Sequence, residues 1–108
     1  MNIYCKGRVN VSAPGTPVPL TTDPAVTASK LLFQAISGLT GKTYVGVAGM
    51  TKATLSGVAR TLAPNPSGGF SETFYIEAQD GADSIRLKDY VIDADVAGEG
   101  LLVTYWQE

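Results

Sequence analysis

Short apolar segments with a period of two residues, separated by glycine and proline, constrain the fold of this chain more than any other feature. The chain contains 12 glycines and 6 prolines, and apolar and polar side chains alternate between them. A period of two indicates β-strands, because successive side chains of a strand point to opposite faces. The strand-like segments are 2–11, 28–36, 42–48, 70–78, 85–94 and 101–106, with a shorter piece at Val18 and Leu20.

This pattern predicts an all-β fold of about seven or eight short antiparallel strands, arranged as a compact β-sandwich or jelly-roll-like barrel. No segment has the length and period of a long helix. At 108 residues the chain fits a single domain over residues 1–108, because domains commonly contain ~100–150 residues.

Two segments leave the choice between helix and strand open. Residues 28–36 fit both periods, and a strand is favoured because strand-like segments flank them and Ser37-Gly38 ends them. The turn of residues 37–41 would then join 28–36 to 42–48 as a hairpin. Residues 49–64 fit neither period, and Thr51 as an N-cap would allow a single helical turn over residues 52–55.

Turns and a break complete the pattern. Residues 64–69, with two prolines and two glycines, predict a loop, and Asp80-Gly81 predicts a tight turn. The apolar parity changes between Leu87 and Tyr90, so we expect a bulge or short break at Lys88-Asp89.

The closing strand is apolar on both faces. Leu101, Val103 and Tyr105 point one way, and Leu102, Thr104 and Trp106 point the other. A strand with one face in water should alternate apolar and polar residues. We therefore expect its second face to be covered by another sheet, another subunit or a larger assembly.

Composition excludes several functions. The net charge is −2 without a basic cluster, so we expect no nucleic-acid partner. Histidine is absent and Cys5 is the single cysteine, which excludes an intrachain disulfide, Ser-His-Asp catalysis and zinc sites of the usual ligands. Cys5 itself is expected to be a small buried hydrophobic residue.

The chain shows no membrane or secretory segment. No apolar run approaches the ~18 residues that a membrane-spanning helix requires, and the first residues lack the basic and apolar regions of a signal peptide. We therefore expect no membrane partner and assembly in the cytoplasm.

Two motifs resemble ligand sites. Asp93, Asp95 and Glu99 are closely spaced carboxylates, but the intervening residues supply few oxygen ligands for calcium, so we interpret them as solvated side chains that discourage edge pairing. Residues 38–43 resemble a phosphate-binding loop without its spacing, so we interpret them as a hairpin turn. We predict no enzyme activity, no metal and no cofactor.

Large apolar side chains suggest protein contacts. Tyrosine and tryptophan are enriched at interface anchors because they bury much area at little entropic cost. The candidate interface residues are Tyr4, Met50, Leu55, Tyr105 and Trp106. The alternative for Trp106 is an ordinary core position.

The layout of residues 42–106 resembles that of small virion proteins of tailed bacteriophages. It contains Gly-Lys-Thr-Tyr-Val-Gly at 41–46, Gly-Met-Thr-Lys-Ala-Thr-Leu-Ser-Gly-Val at 49–58, Phe-Ser-Glu-Thr-Phe at 70–74 and Tyr-Val-Ile-Asp-Ala-Asp-Val-Ala-Gly-Glu-Gly at 90–100, followed by the closing strand. Val18-Pro-Leu20 and residues 26–35 fit the same plan. Among those proteins the chain looks most like capsid decoration (cement) proteins.

The resemblance implies a compact β-module on the outer capsid surface that bridges neighbouring subunits. Its expected partners are the major capsid protein and further copies of itself, as a homotrimer, and no catalytic residues carry over. A tail or head-fibre accessory module that binds a host receptor or glycan is the alternative.

Overall fold

The computed structural model describes residues 2–36, 38–64, 72–79 and 82–108, and these contain ten strands and one short 3-10 helix. The strands are β1 (Asn2–Asn10), β2 (Val18–Pro19), β3 (Thr27–Ala28), β4 (Lys30–Ala35), β5 (Thr43–Thr51), β6 (Ser56–Leu62), β7 (Thr73–Glu77), β8 (Ile85–Arg86), β9 (Tyr90–Ala94) and β10 (Gly100–Gln107). The predicted loop at 65–69, the first residues of the predicted strand 70–78 and the predicted Asp80-Gly81 turn lie outside the described residues.

The strands pair as one long antiparallel ribbon that is folded over. β1 pairs with β10, β2 with β9, β3 with β8, β4 with β7 and β5 with β6. Two further pairings, β10 with β4 and β5 with β9, create sheet I, of order β1-β10-β4-β7, and sheet II, of order β2-β9-β5-β6. Two four-stranded sheets connected in this way form a jelly roll. The predicted all-β sandwich is therefore confirmed.

The core lies between the two sheets, where alternate residues of each strand meet. Sheet I contributes Leu31, Phe33, Leu101 and Val103, and sheet II contributes Val45, Leu62 and Ile92. These side chains are almost completely buried. Their alternation in the sequence follows from this packing, because only every second residue of a strand reaches the core.

Local predictions met different outcomes. Residues 28–36 are strands, as favoured, and the predicted break at 88–89 is the 3-10 helix Leu87–Asp89. That three-residue helix is too short to cross a membrane, and no longer helix occurs among the described residues. Residues 52–55 form the turn of the β5–β6 hairpin and not a helical turn.

The predicted hairpin between 28–36 and 42–48 is wrong. β4 belongs to sheet I and β5 to sheet II, so these two strands are not paired with each other. Apolar alternation shows which residues face the core but not which strand lies alongside. A short turn is therefore equally compatible with a hairpin and with a crossing.

The first strand changes face in its middle. The register with β10 shifts between Cys5 and Gly7, and this β-bulge rotates the following residues by one position. Ile3 and Cys5 consequently lie on the outer side of sheet I, whereas Val9 packs against the core. The expected burial of Cys5 is wrong, because its thiol is exposed.

Candidate protein-interaction surface

The two sheets differ in what covers their outer faces, and part of sheet II is covered by the chain itself. Tyr44, Met50 and Val91 form a second buried cluster on this side, with Val58 packed against it. The cluster exists because β5 bulges between Gly46 and Thr51 and Met50 returns over Gly46. A Cβ atom at residue 46 would lie 2.2 Å from the backbone oxygen of Gly57 and 2.6 Å from the Met50 sulfur, so glycine is needed there.

The loop of residues 12–16 covers another part of sheet II. Its Gly15 amide donates a hydrogen bond to Asp93 Oδ1 over 3.1 Å, and the Ala94 amide donates to the same oxygen over 2.8 Å. Asp93 is only 1% exposed, so the expectation of a solvated carboxylate is wrong for this residue. Backbone amides take the place of water as hydrogen-bond donors to Oδ1, whereas the buried Oδ2 has no hydrogen-bond partner among the described residues.

The outer face of sheet I, in contrast, is open and carries apolar and polar side chains together. Register places Ile3, Trp106, Lys30 and Glu77 in one row across the sheet and Cys5, Thr104, Leu32 and Tyr75 in the next. Ile3 is 62% exposed, Tyr75 56% and Leu102, one row further, 38%. Among the described residues, no segment packs across this face as the bulge of β5 and the 12–16 loop do on sheet II. Leu102 shares its row with Arg8, Gln34 and Thr73. We call the residues of these three rows the outer face of sheet I.

Lys30 lies between two aromatic side chains of this face. Its ammonium nitrogen lies 4.8 Å from the centre of the Tyr75 ring and 5.3 Å from that of Trp106. Both distances fit cation–π contacts, which hold the rings in place on the surface. Beside them a shallow groove of about 220 Å³ runs along Leu32, Leu102 and Thr104.

The predicted interface residues occupy four separate places. Trp106 belongs to the outer face of sheet I, and Leu55 lies exposed at the β5–β6 turn. Tyr4 and Tyr105 stack with ring centres 5.1 Å apart, on the opposite side of the β1–β10 ribbon from Trp106. Met50 is 3% exposed and packs within the chain, because the bulge of β5 folds it back over the sheet.

Sequence reasoning missed most of the outer face. Ile3, Leu32 and Tyr75 are separated by at least 29 positions in the sequence (3, 32 and 75), and only the strand register brings them together. The two-sided closing strand was the one available indication, since it marked Leu102 and Trp106 as apolar residues on a second face.

Asp95 forms a small polar cluster at the edge of the buried Tyr44. It accepts a hydrogen bond from Lys52 Nζ over 2.9 Å and one from the Tyr44 hydroxyl over 3.0 Å. The bond from Lys52 holds the pKa of Asp95 below its ordinary value, and the bond from Tyr44 adds to this effect. Burial raises the pKa of Tyr44, and the contact with Asp95 raises it further.

Glu99 accounts for the segment that resembles a phosphate loop. Its carboxylate accepts hydrogen bonds from the amides of Thr40 and Gly41, over 3.0 and 2.9 Å, and from the Thr40 hydroxyl. A carboxylate of the chain therefore occupies the amides that a phosphate would use. The described residues contain no group of three or more His, Cys, Asp or Glu side chains placed to hold a metal ion.

Comparisons of the chain with protein-family models, with curated proteins and with solved structures find no match in any of the three.

Proposed function

We propose that this protein is a capsid decoration protein of a tailed bacteriophage that docks on the outer shell through the outer face of sheet I. The observation that carries the proposal is the difference between the two sheets. The chain folds the bulge of β5 and the 12–16 loop over part of sheet II but leaves Ile3, Tyr75 and Leu102 of sheet I in water. Large apolar side chains that stay exposed together on one face are typical of a protein-interaction site.

The size of the face suggests how such a protein would bind. Four strands ~4.8 Å apart, each about six residues long with a rise of ~3.3 Å per residue, span an area of roughly 19 by 20 Å. This is smaller than the ~800 Å² that each partner buries in a standard stable complex. One contact is therefore weak, and strong attachment requires many copies on a symmetric shell together with contacts between neighbouring copies.

The fold and the sequence layout support the same proposal. Jelly rolls occur in viral capsid and lectin domains, although a fold alone does not define a function. The layout of residues 42–106 resembles that of cement proteins, whose partners would be the major capsid protein and further copies. In this proposal the protein assembles in the host cytoplasm and resides on the capsid surface, without enzymatic activity.

Electron microscopy of purified particles tests the proposal. Capsids that lack the protein are incubated with the wild-type chain or with Leu102→Glu, and occupancy on the shell lattice is compared. A charge on the docking face should strongly reduce occupancy, because an unpaired carboxylate is costly to bury. Val96→Glu is the matched control, since Val96 is an exposed apolar residue in the β9–β10 turn. Equal occupancy of Leu102→Glu and the wild type would contradict the proposal.

A second candidate function is a tail or head-fibre accessory module that binds a host glycan. The aromatic rings of Tyr75 and Trp106 on either side of Lys30 favour it, because sugars stack on exposed rings. Density confined to the tail, together with saturable binding on a glycan array that Tyr75→Ala abolishes, would select this function instead.

A further inference from the structure

Leu55 adopts a conformation that is unfavourable for the isolated chain. Its φ angle is +60°, the left-handed region that leucine rarely occupies, and the side chain is 57% exposed. Glycine or asparagine would fit this turn position with less strain and without an apolar group in water. A strained residue at the surface points to a role outside the monomer.

A groove beside the same hairpin offers a place for such a side chain. It has a volume of about 530 Å³ and is lined by Pro19, Thr21, Ala48, Met50, Lys88 and Val91. Its size falls within the ~300–1,000 Å³ of typical binding pockets, which are mostly apolar with a few polar groups. The groove lies on the sheet II side and is separate from the outer face of sheet I.

We infer that Leu55 of one copy inserts into this groove of a neighbouring copy. The two surfaces are compatible in charge as well as in polarity. The cation of the turn, Lys52, is already paired with Asp95 over 2.9 Å, so it does not oppose Lys88 of the groove. Thr54 and Ser56, on either side of Leu55, carry no charge.

The arrangement has a consequence for symmetry. A knob and a groove at different positions of one chain can be exchanged reciprocally across a two-fold axis or can form a heterologous contact, which closes into a ring when the rotation permits. A ring is consistent with the expected homotrimer. The inference rests on the proposed function only for the expectation of self-association, and it is tested with purified protein in the absence of capsids.

The Leu55→Gly substitution separates the effect of backbone strain on the stability of the monomer from the effect of the leucine side chain on self-association. Leu55→Gly should weaken self-association about ten- to hundredfold in sedimentation velocity, because a leucine side chain is no longer buried. At dilutions where both proteins are monomeric, the same variant should melt about 4 °C higher, because the strain is relieved. Leu102→Glu is the control, which should lose capsid docking and retain self-association.

These measurements give outcomes that overturn the inference. A wild-type chain that stays monomeric at millimolar concentration, or a Leu55→Gly variant that associates like the wild type, excludes the contact. Neither result bears on docking through sheet I, which the capsid experiment tests separately.

Disulfide trapping locates the contact directly. In a Cys5→Ser background, Leu55→Cys and Thr21→Cys variants are mixed and oxidised. A cross-link that forms in the mixture but in neither variant alone supports insertion of residue 55 into the groove. A Leu55→Cys protein that cross-links to itself, or a mixture without cross-links, contradicts it.

Discussion

Glu99 joins two turns that are far apart in the sequence. It lies at the entry to β10, and its carboxylate holds the amides of Thr40 and Gly41 between β4 and β5. Burial alone would raise the pKa of Glu99, but the hydrogen bonds from Thr40 and Gly41 and the charge of Arg8 together bring it below the ordinary value of 4.5. The ionised form is therefore favoured by folding.

This shift predicts how stability depends on pH. A carboxyl group with a lowered pKa in the folded state stabilises the fold above its unfolded pKa, and this stability is lost as the pH falls through the folded value. Glu99→Gln should lower the free energy of unfolding at neutral pH and reduce the acid dependence below pH ~4.5. Denaturant titrations from neutral pH to pH ~3 measure both. Thr40→Val, which removes only one of the bonds, should lie between the two proteins, and identical slopes for all three would refute this role.

At the scale of elements, β10 is one of the two central strands of sheet I. It pairs with β1 on one side and β4 on the other, and its two faces lie in different environments. Leu101 is fully buried in the core, whereas its neighbour Leu102 lies on the open outer face. The apolar character of both faces is thus not a requirement of the fold alone.

Adjacent substitutions in β10 test this division. Leu101→Ala should destabilise the monomer by about 2–5 kcal/mol, because it leaves a cavity in the core. Leu102→Ala should cost less than ~1 kcal/mol, as is usual for an exposed position, and should weaken docking on capsids. Thermal or denaturant unfolding of the two variants measures the difference, and equal losses of stability would show that the outer face is part of the folded core.

At the scale of the whole molecule, the folded ribbon places partners at the two ends of the chain. Asn2 pairs with Gln107 and Val9 with Leu101, so sheet I closes only when distant segments meet. The entropy of loop closure must be overcome before these contacts form. The core between the sheets is therefore complete only after these slowly formed pairings are in place.

This topology predicts slow folding. All-β domains that are dominated by distant pairings fold in roughly milliseconds to seconds, whereas helical domains fold in microseconds to milliseconds. Stopped-flow refolding should show a main phase in the slower range. Val9→Ala, in the β1–β10 pair, and Val58→Ala, in the local β5–β6 hairpin, report which pairing forms first. Refolding in microseconds would contradict the argument.

Sequence reasoning predicted the local features of this protein. The period of two residues indicated the strands and the all-β class, and the parity change located the break at 87–89. The two apolar faces of residues 101–106 indicated that Leu102 and Trp106 face something other than the core. Each of these follows from side-chain alternation, which is a property of neighbouring residues.

Only the tertiary structure decided which segments meet. It separated β4 from β5, reversed the face of Ile3 and Cys5 through one bulge, buried Asp93 beneath the amide of Gly15, and assembled the outer face of sheet I. These outcomes depend on pairing between segments that are distant in the sequence. Alternation along one strand is the same whichever strand lies beside it, so the chain's pattern determined the strands and, outside the bulged β1, most of their core-facing residues. The packing of the strands determined the surface that remains open.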